Sequence, residues 1–245
     1  MQYENISGYK FVDLEDLYGL QSSLKKECTA LSLLGTILLS AEGANFMLAG
    51  AKNKIEEFKV RLKKDERFSD VWFKHSQSNA KPFECLKVRI KPEIITMCVD
   101  GIRPLDKPAK SLAPTQLKEF YDTGKDFIIL DTRNDFEMDF GKFKNAKCIH
   151  IDSFSEFPAA LEKMTEEEKQ KPIVTYCTGG VRCEKAAPLM EDLGFPDVYQ
   201  LEGGIINYFE ECGGAHWEGD CFVFDNRVAI DSQLNETGRE FVSKN

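Results

Sequence analysis

The chain has 245 residues, enough for two modest domains or one large one, and its 42% hydrophobic and 30% charged content, without low-complexity runs, is that of a folded globular protein. A net charge of −9 argues against indiscriminate polyanion binding by the whole surface but leaves room for a local basic patch. The longest uncharged stretch, 14 residues from Cys28 to Ala41, is too short and too polar to span a bilayer, and the start, MQYENISGYK, lacks the layout of a secretory leader.

No membrane partner is therefore expected. Eight cysteines without a C-x-x-C pair suit a reducing compartment, so the expected location is the cytoplasm, with most cysteines packed as small hydrophobes.

In chain order, YKFVDL (residues 9 to 14) reads as a strand. Glu15 to about Ser32, with Leu17, Leu20, Leu24 and Cys28 at helical spacing, reads as a helix. Leu34 to Ser40, a turn at Glu42 to Asn45, and Phe46 to Ala49 form a hairpin pattern. A helix over Ala51 to Lys64, with Ile55, Phe58 and Leu62 on one face, and a strand at Val71 to Lys74 complete a β-α-β-β-α-β order, the ferredoxin-like α+β arrangement. Phe83 to Ile95 alternates apolar and basic residues as an extended segment would. Pro104, Pro108 and Pro114 in a stretch without periodicity mark a connection, so the expected domains are residues 1–100 and 101–245.

Beyond it, a helix opens at Ala113 to Thr115, and Phe127 to Leu130, Ile149 to Ile151, Ile173 to Tyr176 and Val198 to Leu201 are short β-type runs. They are separated by helical segments such as Phe154 to Lys169 and Lys185 to Leu193. Strands alternating with helices predict an α/β domain with a parallel sheet, whose sites form beyond the carboxyl ends of the strands.

Cys177 stands at such an end, followed by Thr178, Gly179, Gly180, Val181 and Arg182, with a helix expected to begin near Cys183 or Glu184. The two glycines permit positive φ and close approach, so successive N–H groups can point inward as an anion nest. A helix N-terminus and the Arg182 guanidinium add positive charge, and all three favour thiolate over thiol. The pattern reads as a nucleophile; the competing reading is a buried structural cysteine at an ordinary strand-to-helix turn.

The segment Cys177 to Arg182 resembles the six-residue active loop of the rhodanese family, in which a cysteine persulfide is cradled by backbone amides. "LDTRNDFEMDFGKFKNA" (130 to 146) and "LEGG" (201 to 204) resemble further rhodanese segments. The related dual-specificity phosphatases hold cysteine and arginine in a loop one residue longer. More narrowly, "YCTGGVRCEKA", "YQLEGGI", "WEGDCFVFDNRVAID" and "GTILLSAEGAN" resemble the bacterial oxygen-dependent tRNA uridine 5-hydroxylases. "EGAN" stands where "EGIN" is usual, and many members continue into a cysteine-rich tail absent from this sequence.

The resemblance implies an N-terminal ferredoxin-like domain followed by a rhodanese-like domain, and 5-hydroxylation of uridine 34 in a tRNA anticodon loop. It implies dependence on Cys177, with molecular oxygen as co-substrate and no other cofactor. A sulfurtransferase carrying a cysteine persulfide is the leading alternative, and a non-catalytic redox or protein-interaction module the second.

Secondary candidates are Cys183, to resolve an oxidised or persulfidated Cys177 or simply to pack in the first helical turn, and Lys185, facing substrate or standing in water. Arg133 is a further candidate, although its spacing to Glu137 predicts a pair between those two. Lys87, Arg89 and Lys91, with Arg103, are candidate RNA contacts or a solvated strand face. Cys212, His216 and Cys221 have no paired-knuckle spacing, so no metal is expected.

Overall fold

The computed structural model describes residues 2–240, which divide into two compact units: residues 2–94 with 224–228 and 238–240, and residues 95–223 with 229–237. The first unit follows β1 (Tyr3–Phe11), α1 (Leu17–Ala30), β2 (Leu34–Ser40), β3 (Gly43–Gly50), α2 (Lys52–Leu62), β4 (Lys74–Ser78) and β5 (Leu86–Ile90). Its sheet order is β4-β1-β3-β2-β5, antiparallel except for the parallel β2–β5 pair. This is the ferredoxin-like order with one strand added at the edge.

Period-two alternation sends Ile37, Leu39, Ala44, Phe46 and Leu48 into one core with Leu24 and Cys28 of α1 and Ile55, Phe58 and Leu62 of α2. Phe46 meets Phe58, Phe68 and Phe73 edge-on at 5.7–6.3 Å between ring centroids.

Two boundaries differ from expectation. The last ferredoxin-like strand starts at Lys74 rather than Val71, because Val71 and Phe73 are core anchors on the approach to the strand. The hairpin turn is tighter than Glu42 to Asn45: β3 already begins at Gly43, which pairs with Ser40 and Phe11. At Gly43 a Cβ would stand 2.1 Å from the Lys10 carbonyl oxygen, so only glycine permits that approach. Glu42 instead accepts a hydrogen bond from the Ile94 N–H at 2.8 Å, fixing the segment that leaves β5.

Of the extended stretch expected over Phe83 to Ile95, only β5 is a strand. Its Leu86, Val88 and Ile90 pack on the core while Lys87 and Arg89 are exposed. Lys91 still donates its N–H to the Leu39 carbonyl at 2.8 Å, and Pro92, which has no N–H for a ladder, comes next.

The second unit contains β6 (Lys110–Leu112), α3 (Pro114–Asp122), β7 (Ile128–Asp131), α4 (Asp135–Met138), β8 (Gly141–Phe143), β9 (Lys147–Cys148), α5 (Phe157–Leu161) and α6 (Glu166–Lys169). It continues with β10 (Ile173–Tyr176), α7 (Val181–Asp192), β11 (Val198–Leu201), α8 (Gly204–Cys212), β12 (Trp217–Gly219), β13 (Cys221–Phe222) and β14 (Ala229–Ile230). The main sheet, β6-β11-β10-β7-β9, is parallel throughout. All four residues of its central strand β10 are buried, as their unbroken apolar run predicts.

One face packs on α5 and α7 through Leu130, Ile173, Phe157, Ala186 and Met190, and the other on α3 and α8 through Ile129, Val174, Leu117 and Ile205. Ile149 to Ile151 is not a strand; pairing stops at Cys148 and His150 takes a left-handed φ of 54°. The helix expected over Phe154 to Lys169 is broken into a 3-10 turn, α5 and α6. Pro158 sits in the first turn of α5, and Thr165 caps α6 by accepting from the Glu168 N–H. Among the described residues no helix is long and apolar enough to cross a membrane.

Candidate active site

The loop Cys177 to Gly180 leaves the carboxyl end of β10, and α7 begins at Val181, earlier than the sequence pattern suggests. Gly180 makes the start there: its left-handed φ of 98° folds the chain back so that its own N–H donates to the Cys177 sulfur at 3.1 Å. Gly179, contrary to expectation, holds no positive φ.

The loop is held from below and from the side. Thr132 donates its backbone N–H (3.1 Å) and its hydroxyl (2.9 Å) to the Tyr176 carbonyl, fixing the strand end. The first amides of α8 bind the loop's outward carbonyls, Ile205 N–H to Cys177 O at 3.0 Å and Ile206 N–H to Thr178 O at 3.2 Å. This contact explains the glycine that opens α8: at Gly204 a Cβ would stand 2.4 Å from Cys177 O and 2.8 Å from Gly180 N. With its carbonyls turned toward α8, the loop is left with amides facing the sulfur.

Cys177 is 1% exposed. Burial alone would raise its pKa, but a hydrogen bond from the Cys183 thiol, the Arg182 charge, and the Arg182 and Gly180 backbone amides outweigh it and bring the thiol down to about 6. At neutral pH the sulfur is therefore mainly thiolate. Cys183, fully buried in the first turn of α7, moves the opposite way, because burial and the neighbouring Cys177 both disfavour its ionisation. Its sulfur also lies 3.7 Å from the Thr132 hydroxyl oxygen.

Arg182 grips Glu137 through two parallel bonds of 2.7 Å, both side chains being buried. Burial opposes the guanidinium charge, but Glu137 overcomes this and holds Arg182 above the usual arginine range. Glu137 also accepts the Asn134 N–H at 3.1 Å, and the Thr178 hydroxyl lies 3.5 Å away, so this carboxylate of α4 ties the helix to the loop.

Helical spacing predicts an Arg133–Glu137 pair, and the structure corrects it. Arg133 is fully buried and grips Asp131 at 2.9 and 2.7 Å, donates to the Gly141 carbonyl at 2.7 Å, and lies over the Tyr176 and Trp217 rings at 5.5 and 5.4 Å. The Tyr176 hydroxyl donates to the same Asp131. Sequence spacing sees only neighbours on one helix, whereas Glu137 reaches a guanidinium 45 positions away.

Lys185 on α7 is 2% exposed, so it does not stand in water. Lys87, Arg89 and Lys91 are exposed on the first unit, and Arg103, exposed on the second, has its Nε 3.4 Å from Asp106. The His216 ring donates from Nε2 to the Asp122 carboxylate at 2.7 Å and stacks on Tyr121 at 4.6 Å, while Cys221 is fully buried.

Residues 3–94 match the UPF0176 acylphosphatase like domain and residues 113–211 the rhodanese-like domain. A protein of Cupriavidus metallidurans named tRNA uridine(34) hydroxylase is 49% identical over 243 residues, covering 97% of this chain and 86% of that protein. The protein of the same name from Thiobacillus denitrificans is 46% identical over 97% of this chain and 98% of its own length. With near-complete coverage at this identity, the chain belongs to the tRNA uridine(34) hydroxylase family.

Proposed function

We propose that this chain is a tRNA-modifying oxidoreductase that hydroxylates C5 of uridine 34, with Cys177 as its reactive group and molecular oxygen as co-substrate. The observation that carries the reading is the sulfur itself: buried, held as thiolate by amides and a clamped arginine, in a chain of this family. A thiolate is the form that adds to C6 of a uracil ring, and the addition moves the C5–C6 π electrons toward C5, the carbon to be oxygenated. A single base must leave its stack to reach a sulfur in a loop, which the anticodon loop of a tRNA permits more readily than a duplex. Thr178 to Arg182 bind and orient the ring, and Lys87, Arg89, Lys91 and Arg103 contact phosphates. A tRNA substrate places the work in the cytoplasm.

The test is nucleoside mass spectrometry of tRNA from cells lacking the gene, complemented with the wild type or with Cys177→Ser. The wild type is expected to restore 5-hydroxyuridine and the variant is not. Restoration by Cys177→Ser would move the site elsewhere. The six-residue loop also favours a second reading, a sulfurtransferase, which predicts thiocyanate from thiosulfate and cyanide by the purified protein at a rate abolished in the same variant.

A further inference from the structure

Glycine serves two visible purposes in this chain. Every glycine other than Gly179 either holds a left-handed φ or has a heavy atom within 3.0 Å of the place its Cβ would take. Gly179 does neither: its φ lies outside the left-handed region, and beyond its own chain neighbours no heavy atom lies within 4 Å of the place of its Cβ. The fold would accept a side chain there without strain or collision. Yet the position lies between Thr178 and Gly180, in the loop that carries the reactive sulfur.

The exposure of the loop says what the open space faces. Cys177 is 1%, Thr178 8% and Arg182 5% exposed, and Gly180 is buried, whereas Gly179 and Val181 are partly exposed. Of the six loop residues only those two reach the surface, so a ligand that approaches the loop from solvent meets them first. An aromatic ring lies against a surface at a carbon–carbon separation of about 3.5–4.0 Å, so a methyl group at residue 179 would occupy the layer such a ring needs.

We propose that Gly179 is a specificity-determining position, bare so that a planar pyrimidine ring can lie against the loop backbone with its face at C6 turned to the Cys177 sulfur. The choice of a pyrimidine rests on the uridine reading above; the demand for a planar ligand rests on the loop.

The test uses the full-length wild type, Gly179→Ala and Gly179→Val, and two thiol reagents, iodoacetamide as a small probe and N-phenylmaleimide as a planar one. The other cysteines are controlled for by carrying each form in parallel with Cys177→Ser. Neither variant should melt below the wild type, and their iodoacetamide rates at Cys177 should match it. N-phenylmaleimide should slow by about tenfold in Gly179→Ala and further in Gly179→Val, and kcat/KM for tRNA hydroxylation should fall in the same order. A lowered melting temperature, or an equal loss toward both reagents, would show that the methyl disturbs the loop and would overturn the proposal. Unchanged N-phenylmaleimide rates would overturn it as well. If the variants show the reagent-size effect but the wild type hydroxylates no tRNA, the planar route is upheld and the uridine reading is removed.

Discussion

Two buried arginines, Arg133 and Arg182, each hold a carboxylate with a two-pronged grip. Arg133 and Asp131 are both fully enclosed, and their neighbours are the Gly141 carbonyl and the rings of Tyr176 and Trp217. Arg182 and Glu137 are nearly as enclosed, but their neighbours are the Thr178 hydroxyl and the Cys177 sulfur. The chemistry of the two pairs is the same, and what differs is where the residual field goes. Around Arg133 it falls on the Tyr176 ring and on the Cys221 thiol, which burial still holds up at about 12; around Arg182 it falls on a thiol brought down to about 6.

The sharpest way to break the comparison is Arg133→Met. It strands Asp131 as a buried charge, and the expected loss is about 3–5 kcal/mol of folding stability in a denaturant titration. The pH midpoint of Cys177 alkylation should stay near 6, because Arg133 is not among the groups that set it. A midpoint displaced as far as that of an Arg182 variant would erase the distinction between the pairs.

The second pair predicts shifts of opposite sign. Arg182→Met removes a charge that favours the thiolate, so the alkylation midpoint rises from about 6 toward the ordinary thiol value of about 8.5. Glu137→Gln leaves the guanidinium charge less compensated, and the midpoint falls. Both variants lose stability through a broken buried pair, so stability alone does not separate them; the direction of the midpoint does. The thiolate's own contribution to stability is complete above the unfolded thiol's pKa and is lost as pH falls through about 6, and Cys177→Ser should flatten that dependence.

A smaller effect on stability is expected at Cys183. Cys183→Ala removes the thiol donor, the largest single effect favouring the thiolate, and should raise the midpoint at least as far as Arg182→Met, while Cys183→Ser, which keeps an O–H donor, should restore part of it. The associated stability change is that of one hydrogen bond, about 1 kcal/mol. Equal midpoints in all three proteins would leave Cys183 a packing residue.

Smallest of all, the paired change Lys87→Glu and Arg89→Glu should weaken tRNA binding and lower the log–log salt slope by about 0.7 for each lost single-strand phosphate contact. Iodoacetamide reactivity at Cys177 should be unaltered. An unchanged slope would make the exposed face of β5 an ordinary solvated one.

Much of this was legible in the residues. An unbroken apolar run ending in Cys177 reports a strand buried on both faces with a loop at its carboxyl end, and both features stand as read. Elements were harder to bound where tertiary packing competes with local pattern, as at Val71 and Phe73, whose burial looks like strand alternation but precedes the strand. Proline and a threonine cap were present in the segment from Phe154 to Lys169, yet its apolar spacing concealed the break. The partner of Glu137 was beyond reach of any spacing rule, since the four-residue interval points to Arg133 while the fold supplies Arg182. Buttressing by Gly204 was likewise hidden, because a short motif does not say which backbone it will lie against.

The hydrogen bonds from the start of α8 to the loop carbonyls have a kinetic meaning as well as a geometric one. They orient the peptide dipoles around Cys177 before any substrate arrives, so the negative charge on sulfur is stabilised without rotation of backbone or solvent during the reaction. A cradle arranged in advance lowers the reorganisation that accompanies charge movement.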